Sequence, residues 1–354
     1  MAEKAYIILE DGHVFCGKRF GAESDAIGEL VFTTGMGGYI ETLTDETYQG
    51  QIVMQTFPLI GNCGMIFEDV ESKKSYLSAY IVKEWCTAPS NFRLEQDLDS
   101  YLKEQGIPGV YDVDTREITR ILRENGTMTA KIVSELPENW AEGLKEFKLT
   151  DAVSKVSSPD SKTYKAAGDK KYTVALYDFG SKSAIVKALA EKGCDVITLP
   201  YTASSEDILN TGADGVVIGN GPGDPMENTK QIEEIKKIFG KIPMLGVGLG
   251  HQLMALAQGA KTEKHTYGHR GANQPVKYQG NGRTYITNQN HGFIVDIKSL
   301  EKIGASVTFV NANDGTCEGA EYNDKNAFSV QFIPAGKDKD LVYDRFAEMM
   351  GGAH

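Results

Sequence analysis

The sequence predicts an α/β protein in two parts, a mixed α+β N-terminal domain followed by a doubly wound, mostly parallel sheet. Two observations carry that expectation. In the second half, strand-length apolar runs alternate with helical stretches, the pattern of parallel strands joined by crossover helices. Between the halves, "TDAVSKVSSPDSKTYKAAGDKKY" (150–172) is rich in Ser, Lys, Asp and Ala and carries no sustained apolar period. A chain of 354 residues, 41% apolar, is long enough for two cores of ordinary size. The expected boundaries are a domain over 1–152, a linker over 153–171 and a second domain over 172–354.

Taken in order, "AYIILEDGHVFCGKRFG" (5–21) places short alternating apolar runs on either side of Asp11-Gly12, a hairpin signal. "LDSYLKEQG" and "DTREITRILRENG" carry helical spacing, and each is closed by a glycine. Beyond the linker, "YTVALYDFG", "CDVITLP", "DGVVIGNGPGD" and "IPMLGVG" read as buried strands. "SAIVKALAEKG" and "TKQIEEIKKIFG" read as the helices between them.

Charge narrows the function classes. The chain has 37 basic and 49 acidic residues, a formal net charge of −12, and no Lys/Arg cluster stands out, which argues against nucleic acid or an anionic membrane as partner. The start lacks the basic-then-apolar order of a secretory signal, and no apolar run approaches the ~18 residues of a membrane span, so a cytoplasmic protein is expected. The five cysteines, Cys16, Cys63, Cys86, Cys194 and Cys317, are scattered and free of C-x-x-C spacing. They suggest neither a disulfide framework nor a metal site.

Ligands of an open parallel sheet gather at the carboxyl ends of its strands, and three glycine-rich stretches are expected there: "GNGPGDP", "GVGLGHQ" and "NQNHGF". "IPMLGV" followed by "GLGHQLMALAQG" is strand, abrupt turn and helix, with Leu253, Leu256 and Ala257 on one face and Gly259 near the end. Such an elbow presents one residue over a helix N-terminus, whose dipole favours developing negative charge. The residue presented is Gly248. The elbow has no nucleophile.

Nearly end to end, these segments resemble the small, glutaminase-type chain of carbamoyl phosphate synthetase, a class I glutamine amidotransferase. The N-terminal stretches are "ELVFTTGMGGYIETLTDETYQGQIV", "FPLIGNCG", "SNFR" and "DVDTREITRILRENG". The C-terminal ones are "YDFGSK", "GNGPGDP", "LGHQLMALAQGAKT", "YGHRGANQPV", "NQNHGF", "NDGTCEG" and "FSVQF". The resemblance implies glutamine hydrolysis whose ammonia passes to a large chain, which uses ATP and magnesium to make carbamoyl phosphate from bicarbonate. No cofactor is implied for this chain itself, and arginine, pyrimidine and catabolic use of the product stay open. The family's chemistry needs a cysteine at the elbow, with a histidine and a glutamate in a late His-Pro-Glu tripeptide. Here "FSVQFIPAG" puts Ile333, Pro334 and Ala335 at that tripeptide, so Gly248, Ile333 and Ala335 stand at the three triad positions. None of these side chains donates, accepts or ionises.

By the same resemblance, glutamine contacts fall on Gly35, Gly221, Gly223, Leu249, Gln252, Asn290, Gly292 and Phe293, with Leu249 and Gly223 offering oxyanion-hole N–H groups. His251, His265, His269 and His291 all lie in family-like segments, and none supplies a new base. Cys194 and Cys317 have no sequence reason to reach the elbow. The implied function is a non-hydrolysing small subunit of an ammonia-dependent synthetase, with the large chain as partner and glutamine at most a bound ligand. The alternative is a stand-alone glutamine-binding regulatory protein without a large chain. Conventional hydrolysis would require an unsuspected nucleophile.

Overall fold

The computed structural model describes residues 3–140 and 142–352. The chain divides into two compact units, Met1–Thr150 with Thr266–Arg270, and Asp151–His265 with Gly271–His354. The outermost ends of the two expected domains, residues 1 and 354, lie outside the described residues.

The first unit is built on β1 (Lys4–Leu9), β2 (Val14–Gly21), β3 (Ala26–Thr33), β4 (Gln51–Gln55), β5 (Leu59–Ile60), β6 (Ala79–Ile81), β7 (Glu84–Trp85), β8 (Pro108–Tyr111) and β9 (Met128–Val133). Its helices are α1 (Tyr39–Thr44), α2 (Leu98–Gln105) and α3 (Thr115–Asn125). Seven of the strands close a barrel in the order β1-β2-β8-β6-β4-β3-β9. The expected hairpin forms, with Ile8 opposite Val14 and Gly12 N–H donating to the Leu9 carbonyl at 3.0 Å. Helix α3 begins where the Asp114 carboxylate accepts the Glu117 N–H at 3.0 Å, satisfying one of the orphan donors of the first turn. Its 3.6-residue period buries Thr115, Ile118, Ile121 and Leu122 and leaves Arg116, Arg120 and Arg123 exposed. Ile118, Ile121 and Leu122 share a core cluster with the barrel residues Ile7, Leu30, Ile52 and Val110. Burying each such side chain contributes about 1.5–3 kcal/mol.

The second unit contains β10 (Lys162–Tyr164), β11 (Tyr172–Asp178), β12 (Cys194–Pro200), β13 (Gly215–Ile218), β14 (Met244–Val247), β15 (Thr262–Tyr278), β16 (Thr284–Val295), β17 (Ala305–Asn311), β18 (Cys317–Tyr322) and β19 (Ala327–Val330). Its helices are α4 (Ser183–Glu191), α5 (Ser205–Asn210), α6 (Thr229–Ile238), α7 (Leu249–Ala257), α8 (Ile297–Lys302) and α9 (Asp338–Gly351). One sheet runs β10-β12-β11-β13-β14-β19-β18-β17-β15-β16, and the steps from β12 through β19 are all parallel. Along β13 the side chains alternate between two cores. Val216 and Ile218 pack with Ile235 and Ile238 of α6 and Leu253 of α7. Val217 joins Ile185 and Leu189 of α4 and Phe346 of α9. Burial on both faces is why these strands read as continuous apolar runs.

The segment between the halves differs from its expected role. Residues 153–171, read as a linker, fold with the second unit: Val153 is buried in its core, and β10 pairs antiparallel with β12 at the sheet edge. All three residues of β10 are exposed, so the strand carries no apolar alternation for a sequence pattern to reveal. Polar contacts hold the segment instead. Ser157 Oγ donates to the Asp178 carbonyl at 2.7 Å, and Lys165 pairs with Asp195 at 2.9 Å.

Among the described residues, no helix is long and apolar enough to cross a membrane.

Candidate active site

The elbow forms where β14 ends, between its parallel neighbours β13 and β19. Gly248 precedes the first turn of α7 at φ 59°, ψ −114°, a conformation that side-chain-bearing residues adopt only under strain. Its N–H donates to the Val330 carbonyl at 2.9 Å, which ties the turn to the neighbouring strand. A Cβ on residue 248 would lie 2.6 Å from Cγ of Asn220 and closer still to its Oδ1. Asn220 is buried, and the same Oδ1 accepts the Leu249 N–H at 3.2 Å. The carboxamide of Asn220 therefore stands in the space a nucleophile would need. It also engages one of the two expected oxyanion donors.

The loop "GNGPGDP" follows β13 as expected. Gly221 is glycine for lack of room, since an added Cβ would run into the Phe179 carbonyl oxygen and lie 3.0 Å from Cδ2 of Leu249. Gly223 adopts φ 87°. The two positions that the resemblance assigns to the histidine and glutamate carry Ile333 and Ala335. The Ile333 side chain is buried in the cluster of Val247, Phe309, Val330 and Phe332, while its N–H donates to the Asn288 carbonyl at 2.9 Å. Ala335 is exposed. Three residues on, Asp338 is buried with one carboxylate oxygen on the Gly336 N–H at 3.1 Å and the other unpaired, and burial raises its pKa above the ordinary carboxylate value.

The third glycine-rich stretch corrects an expectation. "NQNHGF" is not a loop at a strand end but lies within β16. Strand alternation buries Thr287, Gln289 and His291 on one face and leaves Asn288, Asn290 and Gly292 half-buried on the other. His291 Nδ1 lies 2.9 Å from the Phe293 carbonyl and its Nε2 3.0 Å from Oε1 of Gln289. Gln252 Nε2 donates to that same Phe293 carbonyl at 2.8 Å and to Oε1 of Gln331 at 3.0 Å. Of the expected glutamine contacts in this unit, Gly221 thus meets Leu249, and Gln252 meets Phe293. Gly35, in the first unit, is half-buried with its N–H 3.4 Å from Thr33 Oγ1. Of the remaining histidines, His265 lies 3.3 Å from the Asp314 carboxylate, and His269 is buried in the first unit.

His251 sits one turn into α7, wholly buried, with Nδ1 2.8 Å from Ser329 Oγ and Nε2 3.9 Å from Cys317 Sγ. Nothing in the sequence pattern points to that last contact. "NDGTCEG" reads as a turn, whereas Cys317 is the first residue of β18 and is wholly buried. The contact does not make a nucleophile. Burial pushes the thiol of Cys317 up to about 12 and holds the His251 imidazole down at about 3, so both are neutral near pH 7. Cys194 is likewise buried, its thiol pushed up to about 11.

The buried imidazole carries a pH prediction. Its folded-state pKa lies below the ordinary imidazole value of 6.5, so its contribution is fully present above pH 6.5 and is lost as pH falls toward 3. Between pH 6.5 and 5 the loss is about 2 kcal/mol, from ~1.4 kcal/mol per pH unit for one proton. Urea midpoints at pH 7.5 and 5 should fall further in the wild type than in His251→Asn. Equal pH slopes in the two proteins would rule out His251 as the source.

Comparison with known proteins agrees with this architecture. The family model described as carbamoyl-phosphate synthase small chain, CPSase domain, matches residues 7–132, and that of class-I glutamine amidotransferase matches residues 175–339. The carbamoyl phosphate synthase small chain of Bacillus caldolyticus is 44% identical, over 98% of this chain and 96% of its own. That of Clostridium perfringens is 45% identical, over 97% of this chain and 98% of its own. The pyrimidine-specific small chain of Halalkalibacterium halodurans is 44% identical, over 98% and 97% respectively. With two domains in the expected order and such identity along nearly the whole length, the chain belongs to the carbamoyl phosphate synthase small-chain family and carries a class-I glutamine amidotransferase domain.

Proposed function

We propose that this chain is a non-hydrolysing small subunit of an ammonia-dependent carbamoyl phosphate synthetase, retained as the partner of a large chain that binds ATP and magnesium. The observation that carries the reading is the elbow. Residue 248 offers no side chain, and the Asn220 carboxamide fills the space in front of it while holding the Leu249 N–H. Acyl transfer needs a nucleophile, a base and a free oxyanion donor at one point. Ile333 and Ala335 supply neither base nor orienting acid.

Glutamine is at most a weakly held ligand in this reading. Within the second unit, Gly221, Gly223, Leu249, Gln252, Asn290, Gly292 and Phe293 would be its contacts. The Gln252 amide is already committed to Phe293 and Gln331, and a carboxamide inside the protein competes with the substrate's own at Leu249. The test is glutamate release from glutamine by the purified chain in complex with its large chain. Release at the protein-free rate is expected. Turnover above that rate, abolished by heat, would mean a nucleophile elsewhere in the chain and end the proposal.

A further inference from the structure

We infer that a groove along α3 of the first unit receives an acidic segment of the large chain. The inference rests on the partner reading above and goes beyond it in naming the surface and its chemistry. The groove encloses about 880 Å³ and is lined by the cations Lys83, Arg116, Arg120 and Arg123 and the carboxylates Asp114 and Glu124. In a chain whose net charge is −12, this concavity is cationic.

Arg120 is neutralised where it stands, its guanidinium reaching Glu117 at 2.6 Å and Glu124 at 3.0 Å. Arg123 lies over the Phe32 ring at 5.7 Å, a cation–π contact that leaves its N–H edge available. No carboxylate among the described residues forms an ion pair with Lys83, Arg116 or Arg123. Three cations thus face one groove without an ion-pair partner among the described residues.

Their spacing distinguishes the ligand. Arg116 and Arg123 are seven residues apart on one helix, about 10 Å along its axis at 1.5 Å per residue. That spread suits carboxylates distributed along a peptide better than one compact phosphate or carboxylate group. The lip adds a second feature of protein interfaces. Pro58 lines the groove, and its chain neighbours Phe57 and Leu59 are 39% and 41% exposed, apolar anchors beside a charged trough.

The experiment titrates the full-length chain with its large chain at low and moderate salt, comparing wild type with Arg116→Glu/Arg123→Glu and with Arg116→Gln/Arg123→Gln. The reversal should weaken binding about a hundredfold and the neutral pair less, and wild-type affinity should fall more steeply with salt than that of either variant. Amide exchange across residues 115–125 should slow in the wild-type complex. Far-UV circular dichroism checks that the variants keep their helices, and the milder glutamine pair serves where the reversal does not fold. Wild-type binding with both variants within about threefold of it, and exchange over α3 unchanged, would overturn the groove while leaving the partnership standing. Absence of wild-type binding would instead bring down the partnership itself. Thermal stabilisation by inorganic pyrophosphate that the double variants lose, with large-chain binding intact, would assign the groove to a free anion and overturn the inference.

Discussion

In a complex with its large chain, this protein is expected to support carbamoyl phosphate synthesis from ammonium at a ready rate and from glutamine more than about a hundredfold more slowly, a barrier difference of at least ~2.7 kcal/mol. The expectation rests on the way catalytic groups act as a unit. Loss of the nucleophile or of the base alone costs nearly as much as loss of the whole set, because the remaining members have nothing to activate. In the proposed reading the three positions are held by Gly248, Ile333 and Ala335, none with an ionisable side chain, and the Leu249 N–H, one of its two oxyanion donors, is engaged by Asn220. Neither His251 nor Cys317 is expected to substitute, since burial holds the imidazole at about 3, a weak base, and the thiol at about 12, un-ionised near pH 7. The two rates should be measured side by side with glutamine freshly freed of ammonia, because trace ammonium mimics glutaminase activity. A glutamine rate within about tenfold of the ammonium rate would show that hydrolysis survives.

The sequence carries the fold well where periodicity is the signal. β11, β12, β13 and β14 read as apolar runs because both faces of the sheet are buried, and α3 reads as a helix from its cap and its apolar stripe. Fully exposed β10 escapes the same method, because solvent places no apolar requirement on it. The elbow is legible because a glycine between an apolar strand and an apolar helix has few other readings. What fills the elbow is not legible. The approach of Asn220 to residue 248 depends on how the loop after β13 turns back over the start of α7, a long-range packing result that no local pattern encodes. For the same reason the contact between Cys317 and His251, 66 residues apart in sequence, emerges only from the pairing of β18 with β19. "NQNHGF" looks like a loop because its polar residues and glycine are turn formers. Its alternating burial becomes visible only once Gln289 and His291 find partners within the fold.

Gly248→Cys is expected to destabilise the second unit by about 2–6 kcal/mol without creating a glutaminase. Two effects add. A residue other than glycine at φ 59°, ψ −114° carries about 1–3 kcal/mol of backbone strain. Its Cβ must also expel the buried Asn220 carboxamide from the Leu249 N–H, and a buried donor left without a partner costs about 1–3 kcal/mol more. The two contributions separate in a double-mutant cycle. Asn220→Ala alone should destabilise, while Gly248→Cys/Asn220→Ala should recover at least about 1 kcal/mol relative to the sum of the singles, because the shortened side chain clears the clash. The new thiol would face no imidazole, so its alkylation rate should rise with pH as for an ordinary cysteine, with no thiolate plateau near neutrality. Adding Ile333→His and Ala335→Glu is the control for lost side chains. Glutamate release by that triple variant alone would locate the defect in those three positions, whereas release by the single variant would expose a hidden base. Urea midpoints decide the rest: a Gly248→Cys protein as stable as the parent would remove the strain argument, and a cycle without coupling would show that Asn220 yields the space freely.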